Sequence, residues 1–326
     1  MEQKRVLTPI ELKLRVKPMM HLPKSFLKGS IPPLITPIRN NRIDYDAYAG
    51  LVEFQIKNGS HGILVNGTTS EPSTLTIEER NRIVDVAIEA ADGKIPIVAA
   101  TGSQSLAETA ILTEHADKAG ANALLIVTPY YIRPPQSGLI AYYSEIGKRT
   151  KLPWMIYHIP GRAAVSVTLD TLDQISKNCP NFVGMKHAVD DLGFVSKCID
   201  HFGKDFRIFV GLEDLSYPMM TVGACGLMNA VGNLMPRQLA RMCEQVWKGN
   251  MKAAQKIHYD LFEINQAVFF DTNPTPMKYM MKKLGIMPKN EHRLPMMPAS
   301  KDLEKRLNGG MKRAGLLKKN SRKKAA

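Results

Sequence analysis

The feature that most constrains the fold is a regular alternation of short apolar runs with longer amphipathic segments, which begins at Gly29. The apolar runs are continuous rather than alternating, as strands of a parallel sheet must be when both of their faces are buried. The sequence therefore predicts eight parallel strands, at residues 31–36, 62–65, 95–100, 123–127, 153–157, 182–185, 206–210 and 226–230.

A segment with helical periodicity follows each of these runs, and several segments begin after a residue that caps helices. Ser105, for example, precedes such a segment and lies three residues before Glu108, which is the spacing of a capping box. Eight strand–helix units predict an α/β fold, the (β/α)₈ TIM barrel, whereas an open doubly wound sheet normally has fewer strands and a glycine-rich phosphate loop. The predicted helices are 45–57, 77–90, 106–119, 137–150, 169–177, 192–202, 215–222 and 237–248.

The distribution of charge and periodicity divides the chain of 326 residues into four parts. We expect a basic N-terminal tail over residues 1–28, the catalytic barrel over 29–249, a C-terminal helical region over 250–309 and a basic tail over 310–326. The formal net charge is +14, and most of the excess lies in the two tails. Because the body of the chain is nearly neutral, nucleic acid is not an expected partner.

The cysteine spacing and the hydropathy of the sequence indicate the cellular compartment in which the protein acts. Cys179, Cys198, Cys225 and Cys243 have neither CxxC nor metal-ligand spacing, which predicts reduced thiols in a cytoplasmic protein and no metal site. No uncharged apolar run approaches the roughly 18–20 residues that span a bilayer, so no membrane association is expected. The N-terminus is basic, but its acidic residues and scarcity of serine argue against a transit peptide.

Active sites of (β/α)₈ barrels lie at the carboxyl ends of the strands, and Lys186 is the most informative residue at such an end. It follows the apolar run 182–185, which predicts an amine in a barrel mouth where water is scarce. Burial disfavours the charged ammonium, and a neutral amine attacks carbonyl carbons. The residues alone therefore predict a lysine-dependent carbonyl enzyme, which is a Schiff-base aldolase, lyase or synthase.

Other strand ends carry further polar groups. Tyr157 offers a phenol as an acid, a base or a relay, and Arg162 offers a planar fork to a carboxylate. The run 67–71 contains Thr68, Thr69 and Glu71, and its hydroxyl and backbone donors suit a small carboxylate ligand. Tyr130 and Tyr131 are held between prolines, and we expect them to contact either a ligand or a neighbouring subunit.

Four motifs together resemble the dihydrodipicolinate synthase / N-acetylneuraminate lyase family. They are residues 67–71, 128–131, 157–162 and 184–186, in the order and spacing of that family. The resemblance extends from Gly29 to about Pro295. Within the family, the tyrosine pair, Arg162 and the segments 273–278 and 293–295 are similar to the synthase branch rather than to the lyase branch.

The resemblance implies a role for each residue that handles pyruvate. Lys186 would form a Schiff base with the keto group, and Tyr157 would be the proton donor and acceptor over that imine. Thr69 would link Tyr157 to Tyr131, which in the family serves the site of the neighbouring subunit. Thr68 and Thr69 would hold the pyruvate carboxylate, together with the main chain at Met228.

The resemblance also implies a second substrate, an assembly and a pathway. Arg162 would hold the carboxylate of L-aspartate 4-semialdehyde, which condenses with pyruvate in lysine and diaminopimelate biosynthesis. Family members are typically homotetramers built as dimers of dimers. No cofactor is implied, because the imine on Lys186 supplies the electron sink.

Four positions depart from the pattern of the family, and they leave alternatives open. Ser70 replaces a glycine, His158 an asparagine, Ala163 the threonine after the arginine, and His187 a glutamate. These changes raise the alternative of a pyruvate-dependent aldolase or dehydratase that acts on a 2-keto-3-deoxy acid or another aldehyde. A third hypothesis is a binding protein without catalytic activity, which its basic tails would recruit to a polyanion.

Overall fold

In the computed structural model, which describes residues 19–317, eight parallel strands form one curled sheet with the order β1-β10-β9-β8-β7-β6-β5-β4. A parallel bridge between Pro33 and Leu64 joins the two edge strands, so the sheet closes on itself. The strands in chain order are β1 (Gly29–Ser30), β2 (Ile38–Arg39), β3 (Arg42–Ile43), β4 (Ile63–Val65), β5 (Ile97–Ala100), β6 (Ala123–Val127), β7 (Trp154–His158), β8 (Phe182–His187), β9 (Arg207–Val210) and β10 (Gly226–Leu227).

Strands β2 and β3 form an antiparallel hairpin outside the barrel, which the sequence did not predict. Its turn residues Asn40 and Asn41 have φ angles of 53° and 61°. Asparagine tolerates this left-handed region, which two-residue hairpin turns require. The Asn-Asn pair was therefore the available signal for this element.

Eight helices occupy the eight predicted segments, with ends that differ by up to three residues, and the short helix Pro160–Ala163 was not predicted. The helices in chain order are α1 (Tyr45–Lys57), α2 (Ile77–Ala91), α3 (Leu106–Ala119), α4 (Gln136–Gly147), α5 (Pro160–Ala163), α6 (Leu169–Asn178), α7 (Leu192–Phe202), α8 (Ser216–Thr221), α9 (Pro236–Trp247), α10 (Met251–Ala267), α11 (Thr275–Lys283) and α12 (Lys301–Arg313). The Ser105 side chain accepts from the Glu108 N–H, as predicted, but the complete capping box is the one that Thr76 and Glu79 form at α2.

The first strand lies earlier than predicted, at Gly29–Ser30 instead of residues 31–36. The reason is that Pro32 and Pro33 have no N–H to donate to a ladder. The chain still runs along β4, since the Leu34 N–H donates to the Leu64 carbonyl at 3.0 Å. The Asn233 amide donates to the Pro33 carbonyl at 2.8 Å, so a side chain from beyond β10 closes the seam.

Both predicted tails are shorter than expected where the structure describes them. Helix α12 crosses the boundary predicted at residue 310 and buries Met311. At the other end, Leu27 is buried in the barrel interior, and the Arg207 guanidinium donates to the Pro23 carbonyl at 3.2 Å. The remainder of each predicted tail, residues 1–18 and 318–326, lies outside the described residues.

Two apolar clusters hold the barrel together. The larger lies between the strands and the surrounding helices, and the smaller fills the barrel interior. Tyr157 on β7 and Met228, which directly follows β10, both belong to the interior cluster. Among the described residues, no helix is long and apolar enough to cross a membrane.

Candidate active site

Lys186 and Tyr157 lie side by side inside the barrel mouth. They are paired in register on the adjacent strands β8 and β7. Only 3% of Lys186 and 6% of Tyr157 is exposed, and the Lys186 Nζ lies 4.3 Å from the centroid of the Tyr157 ring. Gly211 leaves space for the lysine, because a Cβ there would lie 3.0 Å from the Lys186 Cε. A buried amine next to a phenol is therefore preformed at this point.

The loop after β4 brings a hydroxyl to this pair, but it comes from Thr68 rather than from Thr69. The Thr68 hydroxyl donates to the Tyr157 phenol oxygen at 3.4 Å. The Thr69 hydroxyl instead accepts from the Asn273 amide at 2.9 Å. Because the Thr69 hydroxyl accepts this hydrogen bond, its own proton is still available as a donor, and the link from Tyr157 through Thr69 to Tyr131 stays a prediction.

A buried ionic cluster at Glu71 holds the loop after β4 in place. Glu71 adopts a left-handed conformation with φ of 58° and pairs with the Lys278 amine at 2.5 Å and with the His292 Nδ1 at 2.7 Å. Burial alone raises the pKa of Glu71, but the hydrogen bond from His292 and the charge of Lys278 outweigh it and hold the pKa below its usual value. The C-terminal helical region thus contributes directly to the geometry of residues 68–71.

A cavity of about 330 Å³ opens in front of these residues. Thr68, Tyr157 and Arg162 line it, together with Tyr130 and Arg80. The Arg80 guanidinium, which sequence reasoning missed, is buried and donates to the Ala100 carbonyl at 3.2 Å. Nothing in the pattern of α2 distinguishes this arginine from a solvated one.

The other predicted residues lie at the rim or in the wall. Arg162 is exposed on the short helix α5. Tyr131 is 90% exposed with φ of 75° and does not line the cavity. Met228 is buried in the wall, and its N–H donates to the Val210 carbonyl at 2.9 Å, so this donor is committed to the sheet.

Glu213 is a buried carboxyl that sequence reasoning missed, although it lies just after β9 at the same edge of the barrel. One carboxylate oxygen accepts from the Ala230 N–H at 2.7 Å. Burial raises the pKa of Glu213 to about 7, and the charge of Lys186 opposes this increase. A carboxyl that titrates near neutral pH therefore lies within electrostatic reach of the buried amine.

Three of the four positions that depart from the family pattern do not line the cavity. The Ser70 hydroxyl donates to the Leu34 carbonyl at 2.6 Å, in the barrel wall. His158 and His187 contact each other through their Nδ1 atoms at 3.2 Å. Only Ala163 lines the cavity. Between residues 19 and 317, no group of three or more His, Cys, Asp or Glu side chains is placed to hold a metal ion.

Comparisons with known proteins identify the family of the chain. Residues 26–314 match the family model described as the dihydrodipicolinate synthetase family. A 4-hydroxy-tetrahydrodipicolinate synthase of Thermus thermophilus is 41% identical over 293 residues, which cover 90% of this chain and 98% of that relative. The synthase of the same name from Aquifex aeolicus is 36% identical, over 90% of this chain and 99% of that relative.

Solved structures give the same result. The crystal structure of dihydrodipicolinate synthase from Aquifex aeolicus superimposes with a TM-score of 0.87 at 35% identity, covering 90% of this chain and all of that one. The structure of the 4-hydroxy-tetrahydrodipicolinate synthase from Methylacidiphilum fumariolicum gives a TM-score of 0.86 at 34% identity, over 88% of this chain and 96% of that one. The predicted barrel, family and enzyme class, a Schiff-base carbon–carbon lyase, are confirmed. The chain belongs to the dihydrodipicolinate synthetase family.

Proposed function

We propose that this protein condenses pyruvate with L-aspartate 4-semialdehyde, as a 4-hydroxy-tetrahydrodipicolinate synthase in lysine and diaminopimelate biosynthesis. The observation that carries the proposal is the buried amine of Lys186 beside the Tyr157 ring, in a chain whose relatives are named for this synthase. Those names do not favour the alternative, an aldolase or dehydratase that acts on a keto-deoxy acid.

The first step would be attack of the neutral Lys186 amine on the keto carbon of pyruvate. The resulting carbinolamine loses water and gives an imine between the Lys186 nitrogen and that carbon. Loss of a proton from the pyruvate methyl group then forms an enamine, whose carbon attacks the aldehyde of the second substrate. Cyclisation through the amine of the semialdehyde releases the lysine, so the enzyme is regenerated without a redox change.

Each of these steps moves a proton, and we propose the Tyr157 phenol as the group that carries it. It lies against Lys186 and receives a hydrogen bond from the Thr68 hydroxyl. A phenol exchanges protons without carrying a permanent charge at neutral pH, which suits both the loss of water and the formation of the enamine. We assign Tyr157 as the proton donor and acceptor and Thr68 as its hydrogen-bond partner.

The two carboxylates of the substrates need separate donors. The 3₁₀ turn Thr68–Ser70, held by the ionic cluster of Glu71, contacts Tyr157 through Thr68 and offers backbone and hydroxyl donors for the carboxylate of pyruvate. Met228 would form part of the wall of that pocket, since its N–H is bonded to the Val210 carbonyl. Arg162, at the open side of the cavity, offers a bidentate fork to the carboxylate of the semialdehyde.

Tyr131 would act on the site of a neighbouring subunit. It is 90% exposed on a backbone with positive φ, which is an unfavourable placement for an aromatic residue that contacts only water. We propose a homotetramer built as a dimer of dimers, in which the tight dimer brings Tyr131 to the partner's cavity. We expect neither nucleic acid nor a membrane to take part in this assembly.

We further propose that the enzyme needs no cofactor and acts in the cytoplasm. The imine on Lys186 supplies the electron sink that a carbonyl condensation needs. The four cysteines Cys179, Cys198, Cys225 and Cys243 are free thiols, as in a reducing compartment.

The test is reduction with borohydride in the presence of pyruvate, followed by peptide mass spectrometry. We expect a pyruvate adduct on the peptide that carries Lys186 and no adduct in Lys186→Ala. Lys278 is an internal control, because it is equally buried but paired with Glu71. The wild-type protein should then consume aspartate semialdehyde. Trapping without consumption of that aldehyde would contradict the second substrate, and the absence of trapping would contradict the mechanism.

A further inference from the structure

The outward faces of β7 and β8 carry a pair of histidines directly behind the reactive pair. Successive residues of a strand point to opposite faces, so His158 and His187 point away from the interior that holds Tyr157 and Lys186. The two histidines are in register with each other, one residue after the two reactive side chains. Their Nδ1 atoms lie 3.2 Å apart, and both rings are buried.

The hydrogen bonds around the two histidines indicate which ring nitrogen of His158 carries its proton. The Val167 N–H donates to the His158 Nε2 at 3.4 Å, so this nitrogen is an acceptor without a proton. A neutral His158 then carries its proton on Nδ1 and donates it to the His187 Nδ1. Burial and the neighbouring His187 lower the pKa of His158 to about 4, which agrees with a neutral ring. The hydrogen bond therefore has one direction, from His158 to His187.

Packing gives the pair little freedom to move. Phe194 of α7 stacks on His187 with a ring-centroid distance of 5.5 Å and an interplanar angle of 27°. The same ring lies 5.7 Å from His158. The Phe194 ring thus packs against both histidines at the ends of β7 and β8.

We infer that the His158–His187 hydrogen bond positions Tyr157 against Lys186, by fixing the ends of the two strands that carry them. The geometry is specific, because each histidine immediately follows one of the reactive residues along its strand. The two positions then act as one coupled unit that serves formation of the imine, and they do not select the second substrate. This inference rests on the proposed function of Lys186 and Tyr157.

Substitution of each histidine by asparagine or by glutamine distinguishes the role of this hydrogen bond from the role of side-chain polarity. The amide of asparagine occupies the place of Nδ1, whereas that of glutamine occupies the place of Nε2. His158→Asn and His187→Asn therefore keep a partner at the contact, and His158→Gln and His187→Gln remove it. The four variants have similar polarity, so the asparagine variants are matched controls for the glutamine variants.

The experiment measures the rate of borohydride trapping with pyruvate, the KM for pyruvate and the melting temperature of each variant. We expect the trapping rate to fall about tenfold in both glutamine variants, with KM little changed, because small displacements of reacting groups are costly. The double variant His158→Gln/His187→Gln should be no slower than either single variant. The asparagine variants should keep most of the rate.

Equal rates in all variants, or a double variant in which the two losses multiply, would overturn the coupling. A loss of rate that follows only the melting temperature would overturn the positioning role. The assay needs pyruvate alone, so a wild-type enzyme that uses a different aldehyde leaves the inference standing while the proposed second substrate fails. A wild-type protein that traps no pyruvate would overturn both.

Discussion

The inner and outer halves of the candidate site are built differently. The inner half, with Lys186, Tyr157 and Thr68, lies on strand ends and on a turn that buried hydrogen bonds and ion pairs hold in place. The outer half consists of Arg162 on a short helix and Tyr131 on an exposed loop. Chemistry that must be exact is assigned to rigid elements, whereas recognition of the second substrate is assigned to the rim.

This contrast predicts that changes in the inner half alter the rate of the chemical steps or the stability of the fold. Changes in the outer half should alter the use of the second substrate or the contribution of a partner subunit. The following variants test that division.

The largest effect is expected for Tyr157→Phe, which removes the proton-transferring group of the inner half. We expect kcat to fall by roughly 10²–10⁴-fold, the range typical for loss of general acid–base catalysis. The matched control is Tyr48→Phe, because the Tyr48 hydroxyl is buried without a hydrogen-bond partner among the described residues. Steady-state kinetics on both variants measure this effect. A Tyr157→Phe enzyme with near wild-type kcat would contradict the assignment of Tyr157 as the proton donor and acceptor.

Glu213→Gln tests the second buried group of the inner half. The pKa of Glu213 is raised from 4.5 to about 7 in the folded protein, so folding favours the protonated carboxyl. Its contribution to stability is fully present below pH 4.5 and is lost as the pH rises through 7. Over that window the wild type should lose up to about 3 kcal/mol in the free energy of unfolding relative to the variant.

Urea unfolding at several pH values measures this difference, with the exposed residue change Glu89→Gln as the control. A difference between wild type and Glu213→Gln that does not vary with pH would show that Glu213 is not titrating in this range.

Arg162→Ala tests the rim. Loss of a charge-assisted bidentate contact should raise the KM for aspartate semialdehyde about 10–100-fold. Trapping with pyruvate alone should not change, because the inner half is untouched. Arg82→Ala is the control, since Arg82 forms an exposed ion pair with Glu89 on α2. An equal loss in pyruvate trapping would mean that the two halves are not separable.

Tyr131→Phe should have the smallest effect of the four, a reduction in kcat of about tenfold, as expected for a relay group at a distance from the imine. Its sharper test is complementation between subunits. Mixed oligomers of Lys186→Ala and Tyr131→Phe chains contain sites with an intact lysine and a partner's intact Tyr131, so their activity should exceed that of either parent. If Tyr131 served its own chain, mixing would restore nothing.

Most of the fold was predictable because strand and helix patterns are local. The bounds of α1, α3 and α7 follow directly from periodicity and caps. The first strand was placed too late because its apolar run contains two prolines, and pairing there depends on Leu64 and Asn233, which are distant in sequence. The antiparallel hairpin was missed because each of its strands has only two residues.

In the site, residue types were predictable and contacts were not. Lys186 and Tyr157 were identified from their places at strand ends, and the structure pairs them. The contacts of Thr69 with Asn273 and of Glu71 with Lys278 join residues more than 200 positions apart, and no local pattern specifies them. The same limit applied to His158 and His187, which the sequence presented as two separate departures and the structure presents as one contact.

The seam between the first and last units of the barrel has a consequence for biosynthesis of the chain. Strand β1 is hydrogen-bonded to β10 at Gly226, and Asn233 secures the Pro33 carbonyl. During translation, strand β1 therefore stays without its β10 neighbour until Gly226 and Leu227, almost 200 residues further along the chain, have left the ribosome. Until then, the nascent sheet exposes open edges, the condition under which newly made chains pair wrongly or recruit chaperones.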